Sequence, residues 1–256
     1  MGVKTKLTKK DITPFIKVNK LKKTKNGVSD TVYILDDKYV LKLFERSTKQ
    51  DIQEEQRLLQ LCKDLKVPKL IKKPIKIKNK YALIYKKEDG KSLTKVKRKH
   101  IKQIGIFLKE FHTKTKNHNT KNKNIFSKKY LKKLIIKTNN VKLLKTFNKI
   151  TIIPKENSII HGDLFRDNVL FKYNKLSSVI DFSEVSKGDA YFDLAVVGID
   201  WCINDKDLKT LLKSYNSKIT LKKFKAYMKY ALLYYATTRY LDNRNYNELL
   251  KRIEKI

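Results

Sequence analysis

"IIHGDLFRDNVLF", residues 159–171, sets five polar or charged residues between two hydrophobic runs. The flanks read as buried strands, and a segment that served only a core would have no use for His161, Asp163, Arg166, Asp167 and Asn168 at their junction. Asp163 and Asn168 are five apart, and Asp181, in "SSVIDF", lies thirteen residues beyond Asn168. The strand "NVLF", the turn "KYNK" and the strand "LSSVIDF" predict a hairpin that puts Asn168 beside Asp181. Two oxygen ligands at one end of a hairpin suit Mg²⁺, which takes carboxylate and amide oxygens together with substrate phosphates. Asp163, one short loop away, is then placed to accept a proton from an attacking hydroxyl. This is the layout of phosphoryl transfer. Each acid alone reads as a turn residue or helix cap, so it is the joint spacing that carries the chemical reading.

The same template needs a cation on the α and β phosphates, held by a helix carboxylate. "YVLKLF" places Lys42 inside a strand, where a lone lysine is costly unless exposed or paired. On the helix that follows, Glu54 is the expected partner because Leu58 and Leu61 lie four and seven residues on along its side, with Glu55 as the alternative. The preceding "KNGVSD" offers backbone amides around Gly27 and the Ser29 hydroxyl to cover phosphates. A plain Asn-Gly hairpin turn explains that segment equally well.

Around these residues the chain of 256 is long enough for two modest lobes. Residues 28–44 read as a β-hairpin around "DDK", and "TKQDIQEEQRLLQLCKDL" changes to helical spacing until Pro68. A second strand pair is centred on Asn79. Beyond Gly90 helices dominate, beginning with Ile101, Ile104, Phe107, Leu108 and Phe111, and the polar run 113–129 reads as a mobile surface loop. The expected architecture is α+β: a nucleotide-binding lobe of small β-sheet plus one helix over 1–87, and a larger helical lobe for catalysis and substrate over 88–256.

The charge of +36 raises nucleic acid or an anionic membrane as partners. Only seven of the 61 basic residues are arginine, and the lysines spread along nearly the whole chain. Bidentate readers of phosphate and base edges favour arginine, so no specific nucleic-acid role is expected. Two cysteines are too few for a disulfide framework or a four-ligand zinc site. No apolar leader or membrane-length run stands out, and a cytoplasmic location is expected.

"HGDLFRDNVLF", with "VIDF" and "GDAYFDLA", resembles the signature of the aminoglycoside phosphotransferase and choline kinase superfamily, whose fold is protein-kinase-like. The resemblance runs from about Gly27 to Asp193 or beyond. It implies Asp163 as the base, Asn168 and Asp181 as magnesium ligands, ATP as the phosphoryl donor, and Asp193 as a brace for the catalytic loop. It also favours Glu54 over Glu55. "HGDLFRDNVLF" and "FDLAVVGIDWC" look closest to the homoserine kinases of this fold, which implies L-homoserine as the small-molecule substrate and a place in threonine biosynthesis. The "GVSD" loop and Lys42 depart from those kinases. Arg166, Asp200, Glu184 and Arg239 are candidates for the carboxylate and ammonium of such a zwitterion. His161 and His112 read as structural, and Trp201 and Cys202 as core packing. The alternatives are a choline, sugar or aminoglycoside kinase, or a non-catalytic nucleotide- or RNA-binding protein, although residues 206–256 hold few acids for a polycationic antibiotic.

Overall fold

The computed structural model describes residues 4–24, 30–120 and 122–256. Gly27 and Ser29 lie outside the described residues. The first half contains α1 (Lys9–Ile12), β1 (Leu21–Lys23), β2 (Thr31–Leu35), β3 (Tyr39–Leu43), α2 (Lys49–Leu61), β4 (Ile75–Ile77) and β5 (Lys80–Lys86). The strands form one antiparallel sheet in the order β1-β2-β3-β5-β4. Its turns are short because the chain supplies residues that tolerate positive φ: Asp36 and Asp37 join β2 to β3, and Lys78 and Asn79 join β4 to β5. Thr48 starts α2 with a capping box, its hydroxyl accepting from Asp51 N while the Asp51 carboxylate accepts from Thr48 N.

Strand alternation divides this sheet's two faces. Tyr33, Leu35, Leu41, Leu43, Ala82 and Ile84 pack with Leu7, Ile12 and Val18 from the N-terminal segment, forming a small core on one side. Phe44, Leu83 and Tyr85 pack in the main core with the buried side of α2. Lys42, in register with Val32 and Leu83 and flanked along β3 by Leu41 and Leu43, therefore projects toward α2 and the second half of the chain.

That second half consists of α3 (Arg98–Thr115), α4 (Lys128–Thr138), α5 (Val141–Asn148), β6 (Ser158–Ile160), β7 (Val169–Lys172), β8 (Lys175–Val179), β9 (Ser186–Gly188), α6 (Ala190–Trp201), α7 (Asp205–Ser214), α8 (Leu221–Leu241) and α9 (Asn247–Lys255). β7 and β8 form the expected hairpin, turned by Tyr173 and Asn174 at positive φ, and β6 pairs with β9. α6 carries almost nothing but buried residues and packs against α8 in the centre of the helical layer. Such an all-round apolar helix belongs in the interior of a domain.

The described residues between α3 and α4 in the run 113–129 are irregular, as expected of a loop, but contacts anchor them to the core. α3 continues to Thr115, Asn122 Nδ2 donates to Val185 O, and Phe126 is buried with its carbonyl accepting from the Tyr230 hydroxyl at 2.7 Å. One buried aromatic in a polar stretch is enough to seat it on the core. At the crossing between the halves, Gly90 has φ +117°, and a Cβ there would lie 2.8 Å from Phe171 O. Glycine permits the backbone approach in which Lys91 exchanges hydrogen bonds with Phe171. Among the described residues, no helix is long and apolar enough to cross a membrane.

Candidate active site

The segment 161–168 connects β6 to β7 and lies along α6. Asp193, in the first turn of α6 and fully buried, accepts from His161 N and Gly162 N at 2.8 Å each and from His112 Nε2 at 3.0 Å. The His112 Nδ1 contacts the Tyr215 hydroxyl at 3.0 Å. His161 Nε2–H donates to Ile180 O, which leaves Nδ1 to accept from Asp163 N at 3.3 Å. Burial first, and Lys42 with it, lower the pKa of His161 despite nearby Asp193, so this ring sits as a neutral structural link. Gly162 has φ +81°, and a Cβ would meet the Phe126 ring at 2.3 Å. The Tyr235 hydroxyl of α8 donates to Gly162 O, and its ring meets Phe165 edge-on at 4.8 Å.

Asp163 emerges from this loop. Asn168, on the 3₁₀ turn Arg166–Asn168, donates from Nδ2 to Asp163 O at 2.7 Å and to Asp163 Oδ2 at 2.9 Å. Burial, then the charges of Asp181, Glu184 and Asp167, push the Asp163 carboxyl up to about 7, only partly offset by the Asn168 hydrogen bond. A carboxyl tuned to that range exchanges a proton near neutrality.

The β7–β8 hairpin brings Asp181 beside Asn168, with Ile180 N donating to Asn168 O at 2.9 Å. Asp181 itself adopts φ 65°, in the left-handed region that Asp tolerates better than most residues. Its Oδ1 takes Lys42 Nζ at 2.6 Å and the Ser183 hydroxyl at 2.5 Å. Burial alone would raise this carboxyl, but Lys42 holds it well below the usual carboxylate range. Burial would likewise lower the Lys42 ammonium, yet Asp181, Glu55 and Asp30 together keep it above its ordinary value. Among the described residues, Asn168 Oδ1 and Asp181 Oδ2 take no hydrogen bond. One amide and one carboxylate oxygen side by side are the hard donors a Mg²⁺ ion accepts while keeping waters or phosphate oxygens as its other ligands. These residues fit that ion.

On α2 the structure corrects the expected lysine partner. Lys42 Nζ lies 4.0 Å from Glu55 Oε2 and 3.6 Å from Asp30 Oδ2, whereas Glu54 pairs with Arg57 at 3.1 Å and has His118 Nε2 at 4.0 Å. Neighbouring residues on a helix point about 100° apart, so only one of the two can face β3. Glu55 shares its stripe with Ile52, Leu59 and Cys62, all buried against the sheet and core. The Tyr85 hydroxyl donates to Glu55 Oε1 at 2.6 Å, while Oε2 has no hydrogen-bond partner among the described residues. Burial raises the Glu55 carboxyl, against the opposing pull of Lys42 and Tyr85.

Of the expected substrate ligands, Arg166 and Asp200 are brought together: Asp200 Oδ2 accepts from Arg166 Nε at 3.1 Å and Oδ1 from Nη2 at 3.2 Å. Arg239 is half-buried on α8, one turn beyond Tyr235, and its guanidinium makes no hydrogen bond or ion pair among the described residues. Glu184 follows Asp181 by three residues, and its carbonyl packs near Gly162. Although Glu184 is solvent-exposed, desolvation by the surrounding protein and then the Asp181 charge raise the pKa of its carboxyl. The sequence reading missed Asp30, Tyr85, Ser183 and Tyr235. Tyr85 was within reach, since it lies two residues from Leu83 on the α2 side of β5. Tyr235 was not, because nothing local in α8 marks its contact with a loop 73 residues earlier.

Comparison with known proteins gives the same arrangement a family. A homoserine kinase from Zymomonas mobilis is 35% identical over 99 residues, covering 36% of this chain and 31% of that protein. One from Pseudomonas aeruginosa is 46% identical over 52 residues, covering 20% and 16%. Neither match spans more than about a third of the relative's own length. The solved GDP and kanamycin complex of APH(2″)-IIIa superposes with a TM-score of 0.75 at 16% identity, covering 95% of this chain and 96% of that one. Choline kinase LicA from Streptococcus pneumoniae superposes with a TM-score of 0.70 at 18% identity, covering 96% of both. At such identities the solved structures speak for the fold, which is protein-kinase-like. The model of the phosphotransferase enzyme family matches residues 20–125 and 143–227, a span that takes in Lys42, Glu55, Asp163, Asn168 and Asp181, and the chain belongs to that family.

Proposed function

We propose that this phosphotransferase is an ATP-dependent kinase that converts L-homoserine to O-phospho-L-homoserine. The observation that carries the reading is the convergence of Asp163, Asn168, Asp181 and Lys42, with the Lys42–Asp181 contact joining the sheet to the helical half. Homoserine, rather than another alcohol, rests on the "LFRDN" and "DWC" segments and on the name shared by the curated relatives above.

In this mechanism Asp163 orients the acceptor hydroxyl and takes its proton as the new oxygen–phosphorus bond forms and the bond to the ADP oxygen breaks. Lys42 holds the α and β phosphates, and Glu55 in turn holds Lys42. Asn168 and Asp181 would hold Mg²⁺, which supplies neutralisation of phosphate charge. Gly27 and Ser29 would cover the phosphates from the β1–β2 connection. Arg239 and Glu184, whose charges are not spent on each other or on a counter-ion among the described residues, suit the carboxylate and ammonium of the amino acid.

ADP release, measured with Mg²⁺ and ATP across homoserine, choline, a simple sugar and an aminoglycoside, tests this reading. Homoserine should give the highest kcat/KM. Turnover of choline or an aminoglycoside with none of homoserine would overturn the substrate while keeping the chemistry.

A further inference from the structure

α6 touches the catalytic loop at more points than Asp193. Trp201 Nε1 donates to Leu164 O at 3.2 Å, and Asp200 Oδ2 accepts from the Arg166 backbone N–H at 2.8 Å as well as from its guanidinium. Asp193 and Asp200 are two turns apart on one face of the helix. Between them the backbones of residues 161, 162, 164 and 166 are all bonded to α6, while the Asp163 side chain is turned to Asn168. Arg166 N–H is the first donor of the turn Arg166–Asn168, a group with no partner inside its own turn. Asp200 therefore caps that turn, and the Arg166 fork fixes the cap by a bidentate bond. From there Asn168 Nδ2 reaches both oxygens of Asp163 that face it.

We propose that Arg166 and Asp200 are a positioning pair, holding the turn that carries Asn168, and through it the Asp163 carboxylate, in register with Asp181. The kinetic half of this proposal rests on the phosphoryl-transfer reading above. An exposed ion pair alone contributes little; here the carboxylate also anchors a backbone donor of the loop, and it is this third bond that gives the pair its work.

The test combines Arg166→Ala, Asp200→Ala and the double variant, read by steady-state kinetics and by hydrogen exchange of the amides 161–169. Each single variant should lower kcat about 10- to 100-fold, as small misplacements of reacting groups do, with KM for ATP and for homoserine within about twofold. The double variant should be no worse than the poorer single one. Exchange should quicken at 166–169 in Asp200→Ala while His161 and Gly162, tied to Asp193, stay protected. A tenfold rise in homoserine KM with kcat kept would make Arg166 a substrate ligand and overturn the proposal, as would unchanged kcat and exchange. If Asp200→Ala does not fold, Asp200→Asn keeps an oxygen for the Arg166 amide and should show an intermediate loss of kcat. If the wild-type chain turns over no acceptor, the reaction reading fails, and the exchange experiment alone decides the positioning pair.

Discussion

The loop 161–168 and the strand of Lys42 meet at Asp181, yet they satisfy their polar groups in opposite ways. Along the loop, the buried donors of His161, Gly162 and Arg166 each find an oxygen on α6, and His161 links the loop to Ile180. Around Lys42, one ammonium stands among Asp181, Asp30 and Glu55, and Glu55 Oε2 is left without a hydrogen bond among the described residues. Buried polar groups are costly to leave unpaired. The first region is thus completed by the fold itself and fixes geometry. The second holds its charges in a balance that a polyanion bearing its own cation could redistribute, with Lys42 exchanging Asp181 for phosphate oxygens. Between the two lies Asp163, finished on its Asn168 side and surrounded by acids on the other.

The largest expected effect comes from breaking this boundary at Asp163. Asp163→Asn keeps an acceptor for Asn168 but removes the proton acceptor of the proposed reaction, and turnover should fall about 10²- to 10⁴-fold. Stability should move the other way. The carboxyl rises from 3.8 to about 7 on folding, so the folded chain holds the extra proton within that window. Ionisation above it costs folded stability, and protonation below it removes the cost. Thermal melts should therefore show Asp163→Asn more stable than wild type at pH 8, by a few degrees, with the difference vanishing near pH 4. A variant that is inactive yet less stable at pH 8 would show that the carboxylate is not strained by its surroundings.

Removing the single cation sharpens the contrast from the other side. Lys42→Met leaves the buried carboxylates of Asp30 and Glu55, and the half-exposed one of Asp181, facing one another without their cation. Breaking such a pair by deleting one partner costs roughly 3 kcal/mol or more. Glu55 already titrates above its ordinary value, so its folded form binds a proton more readily than the unfolded chain does. The stability lost in Lys42→Met should accordingly be larger at pH 8 than at pH 5. Equal losses at both would place the cost in packing against Phe44, whose ring centre is 4.8 Å from Nζ.

The two regions also differed in how far the sequence could disclose them. Asp163, Asn168 and Asp181 are tied by one hairpin, and a hairpin is a local object whose strand periodicity and turn residues are written in order. Lys42 stood out because a charge interrupts an apolar strand. What escaped was set by contacts between distant elements. Arg166 and Asp200 read as separate candidate substrate ligands because nothing local shows that α6 runs beside the loop, 34 residues away. The polar run at 113–129 concealed Phe126, whose burial depends on Gly162 and α8. Likewise the sequence pattern could not show residues 4–18 covering one face of the sheet, since their few apolar residues have no strand or helix period of their own.

The choice between Glu54 and Glu55 is the subtlest of these and gives the smallest predicted difference. Both carboxylates are buried on α2, and Leu58 and Leu61 follow Glu54 with the same spacing that Leu59 and Cys62 follow Glu55. Only the sheet decides: Tyr85 and Lys42 sit against Glu55, while Glu54 turns to Arg57 and His118. Glu55→Gln keeps an oxygen for the Tyr85 hydroxyl but deletes the charge facing Lys42, so phosphoryl transfer should fall about tenfold through weaker charge stabilisation, with the fold nearly unchanged. Glu54→Gln alters a pairing with a largely exposed arginine, a kind of contact worth about 0–1 kcal/mol, and turnover should stay within about twofold of wild type. Steady-state kinetics on the two isosteric variants separates them without a change in volume. The reverse ranking would mean that α2 rotates by one residue when nucleotide binds, bringing Glu54 rather than Glu55 to the lysine.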